Sequence, residues 1–339
     1  MVRAEQEKND ETINIFFILS PLQLMNAIEA CEYYKYLDGQ AKNILIISNT
    51  LNKRNNQQID NILLIYNKWD EVKRINIYYN MKELFFHILW LSYKFKNINV
   101  SRVFLGECRI DYSWILANNA NPKEIVLVDD GLGTLSISKN LTNQTGSSIK
   151  NIICKITGLK NAQRQLPTIF TIFKLPEDIP YKTIENKFSY FKKTFLEVCS
   201  KNENEIYFLG APLADLGIVS QDYFFESLKK ITHFYKKKQI IYILHRRENL
   251  DNMKKMFPNM KFVVYDNIIE IEFLLKKKQP IHIASFYSAA LYTLHAIYNI
   301  NNVDVFKLNA HKITHQYKTN IEKVYNLYNR FNIIDLENI

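Results

Sequence analysis

The chain has 339 residues, 47% of them hydrophobic, and a formal net charge of +10; this length exceeds one ordinary core and predicts two domains of about 150 residues each. The longest apolar stretches, Ile15 to Leu19 and Leu84 to Leu91, fall far short of the ~20 residues that span a bilayer, and Met1 to Thr12 is polar and charged, so the expectation is a cytoplasmic protein without leader or anchor. Cys31, Cys108, Cys154 and Cys199 are widely separated, with neither metal-ligand spacing nor a disulfide framework.

Strand-like apolar runs alternate with longer amphipathic segments from the start: Ile13 to Leu19 and Leu22 to Tyr36, Asn43 to Ser48 and Gln57 to Trp69, Arg74 to Tyr78 and Lys82 to Phe95, Arg102 to Gly106 and Ser113 to Ala120, then Glu124 to Val128. This rhythm predicts an α/β fold with a parallel sheet covered by helices. Residues 1–155 are therefore expected to form one Rossmann-like domain. Residues 156–200 read as a linker and variable region, since the text around them is rich in Ser, Thr, Asn and Lys and contains Gly158, Pro167 and Pro176.

The alternation resumes in residues 201–339, which predicts a second Rossmann-like domain. Its strands are Glu205 to Leu209, Ile240 to Leu244, Lys261 to Tyr265, Pro280 to Ala284 and Val303 to Leu308; its main helices are Gln221 to Lys236, Ile268 to Leu275 and Ser288 to Tyr298. Ser220 is placed to cap the helix that follows it. A closing helix is expected near Asn320 to Asn329.

Only eight glycines occur, and four fall in two segments, Val128-Asp129-Asp130-Gly131-Leu132-Gly133-Thr134 and Leu209-Gly210-Ala211-Pro212-Leu213-Ala214-Asp215-Leu216-Gly217. Each segment opens on a buried strand, and ligands of open α/β sheets bind at carboxyl strand ends. Asp129 and Asp130 are adjacent on extended backbone, so their side chains diverge: one is suited to cap the next helix, the other to act as a base or acceptor ligand.

Three strand ends of the second half carry distinctive polar groups: Gly210-Ala211-Pro212 with Asp215, His245-Arg246-Arg247-Glu248, and Ser285-Phe286-Tyr287-Ser288. Parallel strands would bring all three to one edge. A turn that exposes its amides, an imidazole beside two guanidiniums, and hydroxyls opening a helix suit a phosphate. Glu248 on its own reads as half of a surface ion pair. No Asp-x-Asp triplet, Gly-x-Gly-x-x-Gly or Walker lysine loop is present, so neither a metal-bridged diphosphate donor nor a dinucleotide cofactor is indicated.

With these landmarks the chain resembles the bacterial lipooligosaccharide sialyltransferases, glycosyltransferase family 52, and more distantly the bacterial polysialyltransferases. The resemblance runs through Phe16-Phe17-Ile18-Leu19-Ser20-Pro21-Leu22-Gln23, Val128 to Gly133, Thr171-Ile172-Phe173-Lys174, Leu209 to Pro212, Tyr242 to Arg247 and Ser285 to Leu291, in family order across almost the whole chain. It implies a GT-B architecture of two Rossmann-like domains, and inverting, metal-independent transfer of sialic acid from CMP-sialic acid to a terminal galactose of a surface glycan, with no further cofactor. It implies that His245 acts on the CMP phosphate as general acid, that Gly210, Ala211 and Pro212 form the nucleotide-side turn, and that Ser285 and Ser288 stand near the phosphate. Arg246 and Arg247 join that group, Asp266 or Glu270 is expected at the ribose hydroxyls, and Ser20, Gln23, Asp129 and Gly131 are expected on the substrate side of the first domain.

Arg246 stands where the family commonly has proline. The base stays open between Asp215 and Asp130, with Asp222 a further candidate. The resemblance also allows a domain-swapped homodimer. Two alternatives accompany this reading: a polysialyltransferase or other CMP-sugar transferase on the same fold, and a basic nucleic-acid-binding protein, against which the lack of an aromatic-basic recognition motif counts. The positive charge suits peripheral attraction to anionic membrane.

Overall fold

The computed structural model describes residues 12–339 except 40, 77–85, 88, 91, 92, 96, 97, 132, 138–147, 162–164, 176 and 196–199. The chain divides into two compact units, residues 1–186 and 187–339.

In the first unit the strands are β1 (Thr12–Ile18), β2 (Lys42–Ser48), β3 (Glu71–Ile75), β4 (Asn99–Leu105), β5 (Glu124–Val128), β6 (Thr168–Thr171) and β7 (Lys182–Glu185). They form a seven-stranded sheet in the order β3-β2-β1-β4-β5-β6-β7, with every pairing parallel. The helices are α1 (Pro21–Asp38), α2 (Lys53–Ile65), α3 (Asp111–Ala120) and α4 (Ser148–Thr157). Strands β1 and β2 are buried along almost their whole length, so both read as unbroken apolar runs, as sheet interiors covered on two faces do.

Helix α1 starts where Ser20 Oγ accepts the Gln23 N–H at 3.2 Å and Pro21 supplies a fixed φ. It ends at Gly39, whose φ of +74° few other residues adopt. The core includes the stacked rings of Phe16 and Phe104, 4.1 Å between centroids, and the fully buried Trp114.

The second unit contains α5 (Ser189–Phe195), β8 (Ser200–Lys201), β9 (Glu205–Leu209), α6 (Gln221–Phe234), β10 (Gln239–Ile243), α7 (Leu250–Met256), β11 (Lys261–Val263), α8 (Ile269–Leu275), β12 (Lys278–Gln279), β13 (His282–Ser285), α9 (Ala290–Tyr298), β14 (Asn302–Lys307), α10 (His315–Leu327) and β15 (Asn332–Asp335). Six strands form a parallel sheet in the order β11-β10-β9-β13-β14-β15, and β8 pairs with β12 in a separate parallel ladder. Phe208 lies at the centre of the aromatic core, packed on Tyr242, Phe286 and Phe306. Ser220 caps α6 as expected, its Oγ accepting from Tyr223 N–H at 3.3 Å.

Both units are doubly wound, and the α/β expectation holds. The expected boundaries do not: residues 156–200 are not a linker, because β6 and β7 lie within them and extend the first sheet, while α5 and β8 belong to the second unit. Polar composition concealed β6, a four-residue strand whose two threonines are both buried against its neighbours. The expected strand at 74–78 begins three residues earlier, at Glu71, and Ile77 and Tyr78 lie outside the described residues. Of the helix expected at 82–95, the described residues 86, 87, 89, 90 and 93–95 are helical. The closing helix begins at His315 and is followed by the short strand β15.

Candidate active site

Each sheet reverses its winding once, between β1 and β4 in the first unit and between β9 and β13 in the second. Carboxyl strand ends at such a reversal form a crevice in which doubly wound sheets take ligands. Most of the chemistry-bearing side chains read from the sequence gather at these two places.

In the second unit, Gly210 follows β9 and donates its N–H to Ile243 O at 2.8 Å. A Cβ at this position would come within 2.2 Å of Glu248 Oε2 and 2.8 Å of both Ile243 O and Tyr242 Cε1. Glycine is required here by close approach. Glu248 fills the space: its Oε1 accepts from the Tyr242 hydroxyl at 2.6 Å and its Oε2 from His245 N–H at 2.7 Å, while Glu248 N–H donates to His245 O at 2.9 Å. This carboxylate therefore ties the β9 turn, the β10 strand and the His245 loop together. It is no surface ion pair, and burial pushes its carboxyl up to about 7, against the hydrogen bonds from Tyr242 and His245.

His245 is half-buried, and its Nδ1 accepts the Arg247 N–H at 3.2 Å. That bond assigns the proton of the neutral ring to Nε2. Burial, then the charges of Arg246 and Arg247, lower its pKa, while Asp215 opposes them. Arg246 and Arg247 are exposed. Asp215 lies exposed in the turn closed by Leu216 N–H to Pro212 O at 3.0 Å and Gly217 N–H to Ala214 O at 2.9 Å. Ala211 and Pro212 are buried beneath it.

The third strand end divides into two roles. Ser288 Oγ accepts from Ala290 N–H at 3.3 Å at the start of α9, which leaves its hydroxyl hydrogen to donate. The Tyr328 hydroxyl holds the Ser288 backbone, accepting from its N–H at 3.0 Å and donating to its O at 2.9 Å. Ser285, expected near a phosphate, is completely buried and donates to Leu209 O at 2.8 Å, locking β13 to β9. Glu270 is also buried, at the start of α8, with its carboxylate accepting from the Thr293 hydroxyl. It serves the contact between α8 and α9, whereas Asp266 is exposed in the bend before α8. Asp222 lies exposed in the first turn of α6.

In the first unit the central side chain is Gln23. Its Oε1 accepts Leu19 N–H at 2.8 Å and its Nε2 donates to Asp130 Oδ1 at 2.8 Å. Gly106, after β4, makes room for it: a Cβ there would meet Gln23 Oε1 at 2.5 Å. Asp130 Oδ2 pairs with Arg109 Nη2 at 2.5 Å, and Arg109 is gripped in turn by Glu107 through Nε at 2.7 Å. Burial raises the Asp130 pKa; the Gln23 hydrogen bond opposes it, Glu107 adds to it, and Arg109 lowers it. Asp130 N–H donates to Thr134 Oγ1 at 3.0 Å and Gly131 turns the chain with a φ of +61°.

Asp129 and Asp130 diverge, as extended backbone requires. Asp129 is buried, its Oδ2 accepting Ile172 N–H at 2.7 Å, and burial pushes its carboxyl up to about 6. It clasps β5 to the end of β6 and is not presented to a ligand, a correction to its expected substrate role. Ser20 likewise spends its hydroxyl oxygen on the α1 cap. Asn26 connects the same region, accepting from Asn186 Nδ2 at 2.8 Å and donating to Asp129 O at 3.3 Å.

Sequence reasoning missed Gly106, Glu107 and Arg109 and misread Glu248 as half of a surface ion pair. The scarcity of glycine was the usable signal for Gly106, which follows an apolar strand just as Gly210 does. Nothing local marks Arg109.

No family model and no curated protein matches the sequence. Among solved structures the chain is similar to UDP-GlcNAc 2-epimerase from Methanocaldococcus jannaschii, with 12% identity and a TM-score of 0.54 over 96% of this chain and 89% of that one. A second crystal structure of UDP-N-acetylglucosamine 2-epimerase has 13% identity and a TM-score of 0.51 over 92% of this chain and 82% of that one. The likeness is one of fold: the chain is α/β, with two Rossmann-like domains of the GT-B class.

Proposed function

We propose that the protein is an inverting, metal-independent sialyltransferase that moves sialic acid from CMP-sialic acid to a terminal galactose of a bacterial surface glycan. The observation that carries this reading is the grouping of His245, the Gly210 turn and Ser288 at the ends of neighbouring strands of one sheet, with the imidazole fixed by Arg247 N–H so that Nε2 carries its proton. The family-ordered motifs of the sequence support the donor assignment.

In this reading an acceptor hydroxyl oxygen forms a bond to the anomeric carbon while the bond from that carbon to the CMP phosphate oxygen breaks. The hydroxyl proton passes to Asp130 or Asp215. The developing phosphate charge is met by the His245 Nε2–H, the Ser288 hydroxyl and the guanidiniums of Arg246 and Arg247. Burial and then those arginines lower the pKa of the free imidazole; a bound phosphate offsets the arginine charges and raises its basicity, the condition for His245 to serve as a proton donor.

Calorimetric titration with CMP and with UDP, followed by transfer assays with CMP-sialic acid and galactosides in EDTA, tests the proposal. CMP binding and a single added sialic acid are expected. Preference for UDP would remove the donor assignment, and long polymeric products would move the protein to the polysialyltransferase reading.

A further inference from the structure

Among the described residues, no helix is long and apolar enough to cross a membrane. The segment after β3 instead has a different apolar character. Phe86, Trp90 and Tyr93 are 71%, 41% and 83% exposed. The described residues 86, 87, 89, 90 and 93–95 are helical, and a spacing of four and then three residues is that of one helix face. Phe86 and Tyr93 stand largely in solvent and Trp90 partly so, which leaves apolar area in water.

Their surroundings select an occupant. Lys73 of β3 lies over the Trp90 ring, and Lys94 reaches the same ring while it pairs with Glu71 at 2.6 Å. Residues 68–97 contain six Lys and Arg against three Asp and Glu, within a chain of net charge +10. Tryptophan, tyrosine and phenylalanine with interspersed lysines match a lipid headgroup layer, where amphipathic rings settle at the boundary and cations meet anionic headgroups.

We infer that this aromatic face seats the first unit on an anionic lipid surface. The inference does not depend on the transferase reading, because lipid binding is measured without donor or acceptor.

The fold supplies its own reporter. Of three tryptophans, Trp69 and Trp114 are 9% and 0% exposed, so Trp90 is the one facing solvent. The full chain is mixed with phosphatidylcholine vesicles, with or without phosphatidylglycerol, and followed by co-sedimentation and tryptophan emission. Binding to the anionic vesicles is expected, with a blue shift that Trp90→Phe abolishes and with weakening as salt increases. Phe86→Ser combined with Tyr93→Ser is expected to lower vesicle partition roughly tenfold or more, with circular dichroism confirming the fold. Equal partition of wild type and the double variant would overturn the assignment, as would bound protein with unshifted emission. Concentration-dependent self-association in the absence of lipid, lost in the double variant, would assign the face to a second copy and also overturn it.

Discussion

Glu248 Oε2 occupies the space that a side chain on residue 210 would need: a Cβ there would lie 2.2 Å from it. The glycine and the carboxylate are thus one device, since the missing methyl lets Glu248 reach both the Tyr242 hydroxyl and His245 N–H. Gly210→Ala is expected to cost about 1–3 kcal/mol by overpacking, because Ile243 O and Tyr242 also crowd the site. Urea unfolding reads the stability, and CMP titration is expected to show weakened binding from the displaced His245 loop. Unaltered values for both would remove the clamp from the account.

His245→Ala is expected to lower transfer by about a hundredfold or more, in the range found for loss of a positioned proton donor. The readout is turnover at saturating donor in EDTA. Arg247→Ala keeps its backbone N–H and hence the bond to Nδ1, so it should weaken CMP binding with a smaller effect on turnover. Full turnover in His245→Ala would exclude the imidazole from the reaction.

Asp130→Asn and Asp215→Asn separate the two base candidates. The variant of the true base should lose about two orders of magnitude in turnover while calorimetry shows CMP affinity retained. If Asp130 is the base, its burial-raised pKa predicts an acidic limb in the rate profile displaced upward from an ordinary aspartate. Gln23→Leu, which removes the hydrogen bond that favours its charged form, should move that limb further up.

Stability is expected to fall with rising pH through these buried carboxyls. Glu248 is held up to about 7 from an ordinary 4.5, so the native state binds this proton more tightly than the unfolded chain. Its contribution is complete below the ordinary value and disappears as pH climbs through about 7. Asp129, raised from 3.8 to about 6, acts in the same direction at lower pH. Urea midpoints measured between about pH 4 and about pH 8 should show a decline in wild type that Glu248→Gln reduces.

The sheet interiors were legible because β1, β2, β5 and β9 are continuous apolar runs ending in turns, a pattern that parallel sheets covered on both faces impose. Strand β6 was not, since its buried threonines satisfy themselves through tertiary contacts, Thr168 with Glu124 for example, which local composition does not record. The rims were partly legible. Polar residues at strand ends pointed to the Gly210 turn and to His245, but strand-end placement also offered Ser285 and Asp129, and analogy offered Glu270, for ligand roles that their burial denies. Residue type reveals chemistry; whether the group is already engaged depends on neighbours distant in sequence, as Leu209 O is for Ser285.

The strand orders carry a consequence for synthesis. In each of the two large sheets the strand made first is internal, β1 or β9, and every later strand docks on one already made: β2 on β1, β3 on β2, β4 on the opposite side of β1, and outward from there. Parallel pairing ordinarily delays folding because partners lie far apart in the chain. Within these two sheets every strand after the first finds its partner already translated, so each ladder can grow in step with elongation on the ribosome, whereas β8 must wait for β12.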